Sequence, residues 1–141
     1  MFKQISLFLE NKPGRLSEFC NYLKEHNIEI RAITVAENVD YGLILLLVDK
    51  TDECVKLLEE ANYVYSITKV IAVKVDQDKG HTQGLLEVSN ILGSAGINIK
   101  FLYSTLVKEE SLLILRVNDD EKAKKVLKEK GFLLEVNNLL K

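Results

Sequence analysis

Polar and apolar residues alternate from Lys3 to Leu9, placing Ile5, Leu7 and Leu9 on one face, and this period of two predicts a β-strand. The period then changes. Leu16, Phe19, Cys20 and Leu23 fall at i, i+3, i+4 and i+7, a helix with one apolar stripe. Between them lies "ENKPG", a turn that holds the chain's one proline. Asn27 suits the helix stop, and His26 suits a helix C-terminus. Ile28–Ala36 reads as a strand, Asp40-Tyr41-Gly42 as a hairpin turn, and the wholly apolar Leu43–Val48 as a central strand. Thr51 is placed to cap a second helix, with Asp52 and Glu53 in its first turn and Cys54, Leu57, Leu58 and Ala61 along its apolar face. A strand resumes at Val64. The predicted order is β-α-β-β-α-β.

The same order follows again. "HNIEIRA" returns as "AGINIKF", with Ile28 and Ile97 standing 69 positions apart. That offset also joins Leu16 to Leu85, Leu23 to Leu92, "LILLLV" to "LLILRV", and Leu58 to Leu127. A gapless offset over this span marks two copies of one unit. In the second copy Val70–Val75 is the first strand, and Leu85, Val88, Leu92 and Ala95 form a helix stripe. Asn118-x-x-Glu121 resembles a capping box ahead of a last helix whose apolar face is Ala123, Val126 and Leu127. Lys122, Lys124, Lys125 and Lys128 then lie mostly on its solvated face.

A βαββαβ order closes into an antiparallel sheet with both helices on one face, the ferredoxin-like arrangement. The fold class is therefore α+β, with two such units spanning 1–68 and 69–141 and their sheets expected to associate side by side. From Val64 to Val75 there is no Gly, Pro, Asn or Asp, so the last strand of one copy passes directly into the first strand of the next.

Composition narrows the function. A net charge of −2 lacks the basic excess of a nucleic-acid binder, and the central strands carry no aromatic platform for RNA bases. No apolar run approaches a membrane span, and the short N-terminal "ISLFL" is closed by Glu10, so no membrane partner and no secretory signal are expected. Cys20 and Cys54 are far apart and both fall on predicted apolar helix faces. They read as buried reduced thiols rather than a metal site or disulfide, with the cytoplasm as the default location. No metal or other cofactor is implied. His26 reads as a helix-end residue. His81, Asp76 and Asp78 sit in the polar stretch "DQDKGHTQG", and no nucleophile–base spacing appears around them. An acylphosphatase-like hydrolase would need a glycine-flanked, Arg-bearing first loop. Arg15 is in the right region, but the glycine-flanked loop is missing. No catalytic residue is assigned.

The loop from Glu10 to Leu16 is where binding chemistry concentrates. Proline suits a helix start because it needs no amide partner, and Gly14 lets a small anion approach the first helical amides. A plain helix start explains the same two residues.

"ENKPGRLSEFCNYLKEHNIEI", "AENVDYGLILLLV" and, in the second copy, "SAGINIKFLYSTLV" resemble the ACT domain, with its D/N-x-P-G-x-L turn and G-I-N-I-like second strand. Nearly the whole chain is similar to free-standing tandem ACT proteins. The resemblance implies a non-enzymatic regulatory protein that binds a small molecule, most often an amino acid. The ligand would lie at the interface of paired units, between the first loop of one and the second strand of its neighbour. It implies Asn11, Lys12, Pro13, Gly14, Arg15 and Leu16 as the loop side, the amides of Gly14 to Leu16 holding a carboxylate and the Asn11 side chain meeting an amino group. On the strand side it implies Ile33, Thr34 and Val35 with Ala36, and Tyr103, Ser104 and Thr105. A homodimer is expected, with Tyr22, Tyr41, Tyr63 and Tyr65 as the apolar surface a partner would cover. The alternatives are a detached regulatory subunit that controls an amino-acid biosynthetic enzyme by contact, and a small hydrolase. The second copy departs from the pattern: Val75 to Leu85 is three residues longer than Leu9 to Leu16, and no proline is present. Whether Asp76–Gly84 forms a second site, with Gly80 and Gly84 as its turn, stays open at this level.

Overall fold

The computed structural model describes residues 1–37, 41–107 and 109–132. The elements are β1 (Phe2–Glu10), α1 (Arg15–Glu25), β2 (Ile30–Glu37), β3 (Tyr41–Val48), α2 (Thr51–Glu60), β4 (Val64–Lys74), α3 (His81–Ser94), β5 (Ile99–Val107), β6 (Glu110–Val117) and α4 (Asp120–Glu129). The chain divides into two compact units, one built on Lys3–Thr68 and the other on Lys69 onward together with Met1 and Phe2. β4 runs without interruption across that division. Asp40 and the strand expected to close the second copy lie outside the described residues, whereas Tyr41 and Gly42 open β3.

In the first unit β3 pairs antiparallel with both β1 and β2, and in the second β6 pairs antiparallel with both β4 and β5. The helix-facing residues of the first unit, Ile5, Leu7, Leu9, Ile44, Leu46 and Val48, form one core with Phe19, Leu23, Cys54 and Leu58. Their counterparts Ile71, Val73, Val75, Leu113, Leu115 and Val117 do the same with Val88, Leu92, Ala123 and Leu127. β6 is buried along most of its length, and β3 at Ile44 and from Leu46 to Val48, as their continuous apolar runs predict. These are two ferredoxin-like α+β units.

Among the described residues the four helices end in the same way. Asn27, Asn62, Gly96 and Gly131 adopt φ of 58°, 60°, 71° and 78° one residue past the C-cap. The next residue's amide reaches back to the third-last helical carbonyl: Ile28 to Leu23, Tyr63 to Leu58, Ile97 to Leu92 and Phe132 to Leu127, at 2.9–3.0 Å. This is the Schellman closure, and its apolar fifth residue turns back into the core each time. Asn27 and Gly96, and Asn62 and Gly131, each stand at the repeat offset. The repeat also fixes two crossing hydrogen bonds, Glu29 N–H to Asp49 Oδ1 at 2.9 Å and Asn98 N–H to Asn118 Oδ1 at 3.0 Å.

Helix starts differ from expectation. α2 begins at Thr51 with Lys50 as its N-cap and no side-chain cap, and α4 is capped by Asp119, whose carboxylate accepts from the Lys122 amide at 3.2 Å. Asn118 is already committed to Asn98, so the cap falls to its neighbour. Cys54 is buried, but Cys20 is exposed, because the face of α1 that the core covers is narrower than the sequence stripe. Leu16 and Leu85, at the outer ends of the two stripes, are 39 % and 40 % exposed.

Candidate functional site

The β1–α1 connection is a tight turn. The Arg15 amide donates to the Lys12 carbonyl at 3.3 Å, and Gly14 has φ 86° and ψ −8°. Proline second and a positive-φ glycine third define a type II turn, which answers to the pair Pro13-Gly14 directly. Gly14 is thus required by the turn itself. Pro13 precedes the N-cap instead of opening the helix, because the turn claims it as its second residue. The first helical bond, Glu18 N–H to Gly14 O at 3.0 Å, leaves the Leu16 and Ser17 amides ahead of the hydrogen-bonded ladder. Of the three amides expected to face a carboxylate, that of Arg15 is engaged within the turn. A Cβ built on Gly14 meets nothing within 4 Å, so the space in front of the turn is open.

Charge around the turn is balanced. Glu10 pairs with Lys12 Nζ at 2.9 Å and Arg15 at 3.6 Å, and Arg15 also reaches Glu18 at 3.1 Å. The hydrogen bond from Lys12, then the charges of Lys12 and Arg15, hold the Glu10 carboxyl below the usual carboxylate range. Two cations meet two anions, and Asn11, Lys12, Pro13 and Gly14 are all exposed. Such a surface suits a zwitterion better than a strongly charged ligand.

The strand residues lie elsewhere. Ile33, Thr34 and Val35 sit on β2, opposite Leu46, Leu45 and Ile44 of β3, so β3 separates them from β1 within the unit. The first unit by itself does not bring them to the turn. Tyr103, Ser104 and Thr105 sit on β5 opposite Ile114, Leu113 and Leu112. Ser104 is exposed, while burial pushes the Tyr103 hydroxyl above its ordinary range and Phe101 stacks beside it at 6.3 Å.

The second copy's first loop is built differently. α3 starts at His81, so His81 to Gly84 are helix and not loop. The paired strand registers, Ile5 with Leu46 and Ile71 with Leu115, confirm that three residues are inserted before the helix offset resumes. The insertion mostly lengthens the helix at its start. Leu85 and Leu86, the counterparts of Leu16 and Ser17, therefore stand inside the hydrogen-bonded ladder. Gly84 is buried, and a Cβ there would lie 2.6 Å from Val75 Cγ1. It is a close-packing glycine inside the helix, while Gly80, at φ 83°, is the N-cap of α3. Asp76 instead makes a local turn, its carboxylate accepting from the Asp78 amide at 3.0 Å. This loop lines a cleft of about 720 Å³ with Lys74, Glu87, Glu109, Glu110 and Phe132, in which Lys74 pairs with Glu110 at 3.0 Å and Lys79 with Glu87 at 3.7 Å.

The tyrosines also find other work. Tyr22 donates to the Leu57 carbonyl at 3.1 Å, Tyr63 packs edge-on to Phe19 at 5.5 Å, and Tyr65 donates to Glu59. Tyr22, Tyr63 and Tyr65 are half-buried ties within the first unit. His26 ends α1 with Nδ1 2.8 Å from the Tyr22 carbonyl. Among the described residues no group of His, Cys, Asp and Glu could hold a metal ion, and no helix is long and apolar enough to cross a membrane.

Two βαββαβ-type units, with a Pro-Gly turn leading into the first helix of one, place the chain among paired ferredoxin-like domains. The model of the ACT domain pair matches residues 1–141, and the chain belongs to that family. It is similar to the crystal structure of protein BT0572 from Bacteroides thetaiotaomicron, with 33 % identity, a TM-score of 0.89, and coverage of 99 % of this chain and 96 % of that one. It shares its fold with the ligand-free regulatory subunit of aspartate kinase from Thermus thermophilus, at 16 % identity, TM-score 0.66, and 92 % and 90 % coverage. The aspartokinase alpha and beta subunits give 18 % identity, TM-score 0.61, and 90 % and 87 % coverage. No curated protein sequence matches the chain.

Proposed function

We propose that the chain is a non-catalytic regulatory protein that binds an amino acid at the Asn11–Leu16 turn and acts as a homodimer. The observation that carries this reading is the type II turn at Pro13-Gly14, which leaves the Leu16 and Ser17 amides ahead of the helical ladder beside open, charge-balanced space. Those amides take the carboxylate, with the helix dipole behind them. Asn11 and the carboxylates of Glu10 and Glu18 are the groups suited to the ammonium. The side chain of the ligand is read by second-strand residues, Ile33 to Val35 or Tyr103 to Thr105, of whichever unit is brought to the turn. Membership of the ACT domain pair family supports the regulatory role. The second copy's helical insertion supports one dominant site per chain.

A thermal-shift screen against the twenty amino acids tests this. A true ligand at about 100 times its Kd stabilises the fold by roughly 2.7 kcal/mol. Gly14→Asn keeps a positive φ accessible while filling the open space, so its fold should survive and the ligand shift should vanish. An undiminished shift in Gly14→Asn, or no shift with any amino acid, would refute the reading. The second reading, control of a biosynthetic enzyme by contact, draws on the fold shared with aspartate kinase regulatory subunits. Stoichiometric recovery of one metabolic enzyme on the immobilised chain would favour it.

A further inference from the structure

β1 and β4 each supply both cores. Side chains on one face of a strand recur at every second residue. From β1, Ile5, Leu7 and Leu9 enter the first core, while Met1, directly ahead of the strand and in the same alternation, packs against the second. Phe2 is 2 % exposed and belongs to the second unit, and Lys3 begins the first. β4 does the same in the other order. Tyr65 packs against the first core, and Ile71, Val73 and Val75 lie in the second. Ile67 and Lys69, in the same alternation between them, are exposed, yet the strand runs on from Val64 to Lys74.

Independent domains are joined by exposed linkers rich in Gly, Pro or polar residues. Here, among the described residues, the chain passes between units at Phe2 to Lys3 and at Thr68 to Lys69, and both crossings fall inside strands that contain neither Gly nor Pro. Local opening follows contiguous cooperative elements. β1 cannot leave the first core as one element without drawing Met1 and Phe2 from the second unit, and β4 cannot leave the second core without drawing Tyr65 from the first. We propose that β1 and β4 couple the two cores, so that the units open together and a ligand held at the Asn11–Leu16 turn, which continues directly from β1, stabilises the second unit as much as the first. The coupling stands on the strands alone, and only its ligand response rests on the function proposed above. It gives the second copy, whose own first loop lacks the Pro-Gly pair, a share in the response to a ligand bound in the first.

Native-state hydrogen exchange of the full chain in sub-denaturing urea, read by peptide mass spectrometry, tests this. Cys54→Ala truncates the first core and Val88→Ala the second, both at fully buried side chains. Each should accelerate the slowest amides of β3 and of β6 by the same factor. Phe2→Leu, a smaller change at the head of β1, should do so too. Acceleration confined to the variant's own unit would overturn the coupling, and a Phe2→Leu chain that speeds β6 alone would overturn the part assigned to β1. An amino acid taken from the thermal-shift screen, at about 100 times its Kd, should slow both strands roughly a hundredfold. Slowing of β3 alone would overturn the coupling. Equal acceleration in the variants, with no slowing by any amino acid, would sustain the coupling and refute the ligand reading by itself.

Discussion

α3 carries two glycines that a helix-propensity scale would treat alike, Gly84 and Gly93, and the structure sets their substitutions in opposite directions. Exchanging a mid-helix glycine for alanine normally gains roughly 0.5–1 kcal/mol by removing unfolded-state freedom. At Gly93 a Cβ meets nothing within 4 Å, so Gly93→Ala should realise that gain. At Gly84 the new Cβ lies 2.6, 3.3 and 3.4 Å from Val75 Cγ1, Cγ2 and Cβ. Val75 is 2 % exposed and branched at Cβ, so it has neither room nor an easy second rotamer. Overpacking of this kind costs about 1–3 kcal/mol, which exceeds the propensity gain and leaves Gly84→Ala less stable by roughly 1–2 kcal/mol. Urea unfolding at unchanged m-value reads both variants. Val75→Ala removes the obstructing methyls, so the double variant should be less destabilised than the two single losses combined, by about 1 kcal/mol or more. Gly84→Ala as stable as the parent would refute the close packing, and with it the reason that His81–Gly84 cannot serve as an open loop.

Other consequences are briefer. Asn62→Ala should cost about 1 kcal/mol in urea unfolding, because Asn62 holds φ 60°, whereas Asn62→Gly should cost nothing, its counterpart being Gly131. Asp49→Ala and Asn118→Ala each remove the acceptor of one backbone amide and should each cost about 1 kcal/mol, equally in the two units. Burial, then the nearby Asp49 charge, push the Cys54 thiol up to about 11. A thiol reagent at pH 8 should therefore modify one cysteine, Cys20, and reach the second only on unfolding. The Cys54 proton is held more tightly in the folded state, so its contribution to stability is complete below pH 9 and is lost as the pH rises towards 11, which urea titrations across that range would show.

The two units and most of their elements were legible because one unit was written twice. One periodic stretch is weak evidence, but Leu16, Leu23 and Ile28 recurring as Leu85, Leu92 and Ile97, with "LILLLV" again as "LLILRV", leaves little freedom. Asn27 was readable as a stop because an αL residue must close a helix there and asparagine tolerates it. The helix caps were not readable. Thr51 and Asn118 have capping side chains, yet whether a side chain caps depends on rival partners, and the amide of Asn98, in the connection ahead of β5, holds Asn118. Cys20 was misplaced for a related reason: a helix stripe states which face is apolar but not how wide a strip the sheet covers. Half-buried Tyr22 and Tyr63 fill the gap between α1 and α2, a packing detail with no periodic signal.

The Pro-Gly pair shows where sequence pattern and physical necessity part. Its composition suggests an anion site, and the observed φ of 86° shows that a type II turn alone demands the glycine. The argument for a site therefore rests on contrast between the copies. Starting from the same strand end, the first copy makes a four-residue turn and begins its helix with Leu16 and Ser17 ahead of the ladder. The second adds residues and begins about a turn earlier, drawing the equivalent Leu85 and Leu86 amides into the ladder. A turn needed only for folding would be replaceable in either copy by any connection of suitable length, and the second copy demonstrates such a replacement. The second copy's opening amides are instead those of Thr82 and Gln83 behind Gly80, three residues earlier on the repeat offset, whereas the first copy's stand directly behind a Pro-Gly turn among paired charges. Ligand binding at Leu16 and Ser17 is the proposal that gives that difference a physical consequence, and Gly14→Asn is the variant that separates it from folding.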